Sequence, residues 1–300
     1  MLEDNKIHSI LQRVRNIELR TRMAMTDALA GSYHSIFKGQ GVNFEEIREY
    51  TPGDEIRFID WNASAKLGHP FIKVFREERE LTLILAIDVS GSTFCGTEQP
   101  KRDFTAEVAS LLAFSALKNN DKVGLFLFSD TVEKFIPPQK GRQQLLRIIR
   151  ETLFFRPKSE KTDLKKSLEA LGQMLKKKAI ICLISDFIPP CFQIETDTIK
   201  DLSRINQHHD LLCIRIEDPR EKMLPDVGFI ALEDAETHQQ YYIDTHDKTI
   251  RSDFEKKQKK YWDTFQFLCL KQGIEVLPLM NGKPYTNALK MLFKHRHKHS

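Results

Sequence analysis

With 300 residues, 41% of them hydrophobic and 29% charged, the chain can bury a sizeable core and form one large α/β domain with an appendage, or two modest domains. A formal net charge of +4 is small for this length and does not imply a dedicated nucleic-acid binder. The polar N-terminus lacks a secretory signal, no apolar run approaches the roughly 18 residues that cross a bilayer, and the five cysteines form no CxxC pair, so the expectation is a cytoplasmic protein without a membrane span.

From about Asn5 to Leu29 the apolar positions Ile7, Ile10, Leu11, Val14, Ile17, Leu19 and Met23 recur at near-helical spacing among arginines, which predicts an amphipathic helix laid on its own domain. An irregular segment follows, Gly39 to Phe44, then Arg48 to Asp54 and Arg57 to Trp61. Pro52-Gly53 marks a turn there. Charges of both signs mixed with aromatics read as an ion-pair network under a loop, so Asp54 and Asp60 are not nominated as catalytic. Phe71 to Arg76 alternates as a strand.

Leu81 to Ile87 is an apolar run that reads as a strand buried on both faces, and it stops at Asp88. Ser90, Gly91, Ser92 and Thr93 follow, supplying hydroxyl oxygens and a tight turn. Oxygen donors of this kind suit a hard cation such as Mg²⁺. Ala106 to Leu117 predicts a helix packed on a sheet, Val123 to Phe128 a second buried strand, and Val132 to Ile136 a short third one closed by Pro137-Pro138. Gln143 to Phe154 is helical. Thr162 or Asp163 caps a helix running to about Leu175, and Ala179 to Ser185 is a strand that again ends on a carboxylate, Asp186.

Asp197 to Asn206 predicts a helix and Leu211 to Ile216 a strand. Val227 to Leu232 with Gln240 to Ile243 reads as a hairpin-like excursion. A long charged helix spans about Lys248 to Lys271, followed by a strand from Glu275 to Leu279 and a terminal helix from about Thr286. The basic run Lys294 to His299 reads as a solvated, frayed terminus. Cys182 and Cys213 lie in strand-like runs and, with Cys191 and Cys269, read as buried free thiols; Cys95, just beyond the serine-rich loop, is the exception.

Strands alternating with helices imply right-handed crossovers and an α/β fold: a doubly wound, mostly parallel sheet with helices on both faces, occupying residues 81–300. Residues 1–80 supply the N-terminal helix and an irregular, β-containing segment packed on it. In the strand order 3-2-1-4-5-6 the first and fourth strands are neighbours, and ligands bind beyond their carboxyl ends. Counted from Leu81, those strands end in Asp88 and Asp186. The two carboxylates are expected to meet at the switch point, with the Thr162 hydroxyl at the same rim.

Asp88-x-Ser90-x-Ser92, Thr162-Asp163-Leu164 and Ser185-Asp186-Phe187 together resemble the metal-ion-dependent adhesion site of von Willebrand factor type A (vWA) domains. The resemblance implies that Ser90, Ser92 and Thr162 ligate a divalent cation directly, with Asp88 and Asp186 acting largely through water. The cation implied is Mg²⁺, with Mn²⁺ or Ca²⁺ as alternatives, and it would remain electrophilic toward an acidic residue of a client protein. Lys161 departs from the glycine common at that position. Gly39-x-Gly41-x-x-Phe44, Arg48-Glu49-Tyr50-x-Pro52-Gly53-Asp54 and Arg57-x-Ile59-Asp60-Trp61 are similar to the signature of the bacterial family of domain of unknown function 58. That resemblance implies a MoxR-type AAA+ ATPase as partner in a chaperone-like assembly.

No motif places a His or Lys to activate Ser90 or Ser92, so the leading expectation is a non-enzymatic, cation-dependent protein-binding module. The alternative is a metal-assisted hydrolase or phosphotransferase with Asp186 or Asp130 as base. Nucleic-acid binding through Arg13, Arg15, Arg20, Arg22 and the tail ranks below both, since charged helix faces are usually solvated.

Overall fold

Apolar runs of six or seven residues that tolerate burial on both sides can only be accommodated between two layers of helices, and the chain builds its centre in that way. The computed structural model describes residues 12–21, 23, 43–76, 80–188 and 196–299. Ten strands run through them: β1 (Asn43–Glu49), β2 (Phe71–Arg76), β3 (Thr82–Asp88), β4 (Lys122–Phe128), β5 (Val132–Gln139), β6 (Ile180–Ser185), β7 (Asp210–Glu217), β8 (Phe229–Glu233), β9 (Gln240–Asp244) and β10 (Glu275–Met280). Six of them form one sheet in the order β10-β7-β6-β3-β4-β5. All neighbours in it are parallel except β4 and β5. Counted from β3, this is the doubly wound order expected from the sequence.

In β3, Leu83, Leu85 and Ile87 face one helical layer that includes the Lys101–Lys118 and Arg142–Phe154 helices, while Ile84 and Ala86 face the other. The second layer holds the helices Leu164–Met174, Thr196–His208 and Lys248–Lys271. All five of these β3 side chains are at most 1% exposed. Each fully buried aliphatic side chain contributes about 1.5–3 kcal/mol of transfer free energy, so the strand carrying Asp88 is held firmly.

Several boundaries differ from expectation. The helix expected at Ala106 begins at Lys101, directly after Pro100, because Lys101 and Arg102 find partners in the interior despite their charge. Strand β5 continues through Pro137-Pro138 to Gln139. It lies at the sheet edge, where a residue without an N–H forfeits no ladder bond on the solvent side. A helix unexpected from the sequence, Trp61–Leu67, starts at Asp60, whose carboxylate accepts from Asn62 N and Ala63 N at 3.0 and 3.1 Å. It ends at Gly68 with φ 79°. The terminal helix runs to His299, so the backbone of the basic run is helical rather than frayed.

Of the predicted N-terminal helix, residues 12–21 are helical, and Val14 and Ile17 join the core. Arg13 pairs with Asp103, Arg20 with Glu107 and Glu18 with Arg142, which lays this helix against the first helical layer. Leu19 and Met23 are exposed, so the apolar stripe is narrower than the spacing suggested. Residues 5–11 and 24–29 of that prediction, the Gly39-x-Gly41 part of the signature and Cys191 lie outside the described residues. Strands β1 and β2 form their own antiparallel pair. Beside it Arg48 makes a bidentate ion pair with Asp54 at 2.7 and 2.9 Å, the self-satisfied network anticipated for this segment.

Candidate functional site

Parallel pairing places Ile87 of β3 opposite Ile184 of β6, so the next residues of both strands emerge side by side at the carboxyl edge of the sheet. Ser185 Oγ donates to Asp88 Oδ2 at 2.8 Å and accepts from Phe187 N at 3.0 Å. One hydroxyl thus fixes the first carboxylate and the turn that carries the second. Phe187 adopts φ 53°, unusual for a residue with a side chain. Its ring is buried 5.5 Å from that of Phe265, and its carbonyl accepts from Tyr261 Oη at 2.9 Å. Packing and hydrogen bonding therefore hold a backbone that turns sharply after Asp186.

On the β3 side, Ser90 N donates to Asp88 Oδ1 at 3.0 Å, and Ser90 Oγ lies 3.3 Å from Ser92 Oγ. The Ser92 hydroxyl is close enough to Asp186 to help lower its pKa. Asp88, Ser90, Ser92 and Asp186 are thus one continuous oxygen-rich cluster. Gly91 N donates to the Glu160 carbonyl at 2.8 Å, bringing the loop before Thr162 alongside. The helix there is capped by Asp163, which accepts from Lys166 N at 3.0 Å. Thr162 Oγ1 instead donates to Glu236 Oε1 at 2.7 Å, and Thr162 N to Glu236 Oε2 at 3.2 Å. Thr162 is therefore held by this acid from the turn between β8 and β9 and not by a hydrogen bond to Ser90, Ser92, Asp88 or Asp186.

Three charged residues at the rim were not nominated from the sequence: Lys101, Glu221 and Glu236. Lys101 is 2% exposed, and its ammonium lies 2.6 Å from Asp186 Oδ2 and 2.5 Å from Glu221 Oε1. No motif singled out this lysine, and it bonds Asp186 and Glu221, not Ser90 or Ser92. Burial disfavours this ammonium, but the charges of Asp186 and Glu221 outweigh that and raise its pKa. Lys101 thus sets a positive charge between two carboxylates. Glu221 stands at the third position of the short helix Pro219–Lys222, in a capping box with Asp218. The Asp218-Pro219-x-Glu221 pattern is readable as a helix start, but nothing local shows that Glu221 turns toward a lysine 120 residues away. Asp218 in turn accepts from Thr97 N at 2.7 Å and Asn281 Nδ2 at 3.2 Å, joining the ends of β3, β7 and β10.

The electrostatics are lopsided. Burial pushes the Asp186 carboxyl up, but the Lys101 ammonium and its hydrogen bonds overcome this, and the pKa is lowered. Asp88 is pushed well above the usual carboxylate range, first by burial and then by the negative charge of Asp186. Its hydrogen-bond partners, Ser90 and Ser185, are neutral. Burying this charge without compensation is costly, and a second positive charge at the hydroxyl cluster would relieve it. Among the described residues no three His, Cys, Asp or Glu side chains converge as a metal site; the donors here are two carboxylates and hydroxyls. Such a set fits a hard cation that completes its shell with water.

Among other expected features, Lys161 is exposed, and Cys182, Cys213 and Cys269 are buried free thiols whereas Cys95 is exposed. No described helix is long and apolar enough to cross a membrane.

A six-stranded, mostly parallel sheet in this order defines the class of doubly wound open-sheet α/β folds, with Asp88 and Asp186 at its switch point. More particularly, the chain belongs to the family described as "Protein of unknown function DUF58", matched over residues 46–262. It is 29% identical over 258 residues to the uncharacterized protein Rv1480 of Mycobacterium tuberculosis, covering 84% of this chain and 78% of that one. It is 33% identical over 126 residues to the uncharacterized protein MAV169 of Mycobacterium avium, covering 40% and 69%. Among solved structures it is similar to BatB from Bacteroides thetaiotaomicron, with 12% identity, a TM-score of 0.43 and coverage of 73% of this chain and 99% of that one. The VWA domain of SpRpn10 matches with 10% identity, a TM-score of 0.40 and coverage of 70% and 94%. The fold assignment rests on this chain's own strand order.

Proposed function

We propose that the protein is a non-enzymatic, divalent-cation-dependent protein-binding module that works in the cytoplasm with a MoxR-type AAA+ ATPase on client proteins. The carrying observation is the buried Asp88 carboxylate, which has neutral hydrogen-bond partners and sits beside Asp186 among the hydroxyls of Ser90 and Ser92. Ser90, Ser92 and Thr162 would hold Mg²⁺ directly, and Asp88 and Asp186 would hold it largely through water. The bound ion supplies an electropositive point that attracts an acidic side chain of a partner. Family membership and the Arg48–Trp61 signature support the choice of ATPase partner.

The protein's own residues supply positioning and charge. Ser185 orients Asp88, and the Phe187 turn aims Asp186. Lys101 is engaged by Asp186 and Glu221 and not by Ser90 or Ser92, which favours a binding role over nucleophilic chemistry here. The test is capture of the ATPase by the full chain with Mg²⁺, with EDTA and with Asp88→Ala. Binding lost in the last two supports the reading, and binding equal in all three contradicts the cation dependence.

A further inference from the structure

The β8–β9 hairpin is a two-stranded ribbon outside the central sheet, and such a ribbon has little stability of its own. Its tip is nevertheless fitted to the switch point. Asp234 Oδ1 accepts from Glu236 N at 2.9 Å and from Thr237 N at 2.8 Å, fixing the turn that aims Glu236. The Glu236 carboxylate takes both the hydroxyl and the backbone N–H of Thr162. His238, at φ 56°, bridges Glu233 and Glu160 at 3.0 and 2.8 Å. The hairpin also rests on the serine loop: a Cβ on Gly91 would lie 2.4 Å from the Ala235 carbonyl oxygen. Three neighbouring contacts thus seat one acidic turn on the loops that carry Ser90, Ser92 and Thr162.

We propose that Glu236 is an internal carboxylate ligand of this site, filling from within the chain the position that an acidic residue of a partner takes, so that a partner binds by displacing the hairpin tip. The proposal rests on the cation reading above. Glu236 is half-buried, and burial, with a smaller contribution from the negative charge of Asp186, disfavours its ionised form. A cation at the Thr162 hydroxyl would relieve that cost. A carboxylate already bound to the Thr162 hydroxyl is placed to take part. The external partner that fits is therefore one presenting a Glu or Asp on a similarly tight turn.

The experiment uses the full chain with Mn²⁺ as probe. Electron paramagnetic resonance counts free ion, and water-proton relaxation reports the exchangeable waters on bound ion. Glu236→Gln is expected to bind Mn²⁺ about tenfold more weakly, about 1.4 kcal/mol, and to give a higher relaxation enhancement per bound ion. Acetate should then lower that enhancement in the variant and leave the wild type unchanged. Gly91→Ala, which crowds the hairpin tip without removing a side-chain donor, should show the same acetate sensitivity. Equal affinity, enhancement and acetate response in wild type and Glu236→Gln would overturn the assignment while Asp88→Ala still abolished Mn²⁺ binding. Mn²⁺ binding that is absent, or indifferent to Asp88→Ala, would overturn the cation reading and this proposal together.

Discussion

Replacing Lys101 by methionine removes the ammonium that compensates Asp186 while keeping most of the side-chain volume. Lys101 is 2% exposed and Asp186 6% exposed, so in the cation-free protein two carboxylates lose their shared counter-charge without access to bulk water. Breaking a buried pair by removing one partner costs about 3–5 kcal/mol. The Glu221 side chain remains 26% exposed and can relax toward water, which points to the lower end, about 3 kcal/mol. For a domain of this size that lowers Tm by about 6 °C or more. The assay is urea unfolding of wild type and Lys101→Met in EDTA, repeated in Mg²⁺. With the ammonium gone the carboxylates hold the divalent ion more tightly, so Mg²⁺ at a hundred times the variant's Kd should stabilise the variant by about 2.7 kcal/mol and the wild type by less. A loss below about 1 kcal/mol in EDTA, the scale of an exposed pair, would refute the reasoning. So would Mg²⁺ stabilisation that is equal in the two proteins.

Ser185→Ala removes the donor to Asp88 and the acceptor for Phe187 N; it should cost about 1–3 kcal/mol in urea unfolding and weaken Mn²⁺ binding in a calorimetric titration. Ile84→Ala, at a fully buried position in the central strand, should cost about 2–5 kcal/mol by the same unfolding assay with cation affinity unchanged. Hydrogen bonds from Arg48 and Thr51 lower the Asp54 pKa from 3.8 to about 2. A folded-state value below the unfolded one contributes stability that is present above about pH 4 and lost as pH falls through about 2. Asp54→Asn should therefore flatten the acid limb of a thermal melt series between those pH values, and an unchanged limb would contradict the assignment.

The central sheet was legible because its strands announce themselves. Leu81–Ile87, Val123–Phe128, Ala179–Ser185 and Leu211–Ile216 are apolar runs too short for isolated helices and bounded by polar residues, and the chirality of crossovers then restricts their order. The neighbourhood of Asp88 and Asp186 followed from that order alone. The remaining rim was hidden for a physical reason. Lys101 and Arg102 are charged residues buried by partners remote in sequence, so they read as solvated positions ahead of an Ala- and Leu-rich helix. Glu221 and Glu236 lie in a capping box and a hairpin turn, where acids commonly serve local structure, and only the tertiary fold turns them toward Lys101 and Thr162. The prolines in β5 misled because their tolerance depends on lying at an edge, which is a property of the sheet and not of the strand.

Crystals of the full chain soaked in Mn²⁺ and measured near the manganese absorption edge test the account most directly. An anomalous peak at the Ser90 and Ser92 hydroxyls, absent from Asp88→Ala crystals soaked in the same way, is the predicted result. No peak there at saturating Mn²⁺, or a peak confined to the histidines near the C-terminus, would contradict it.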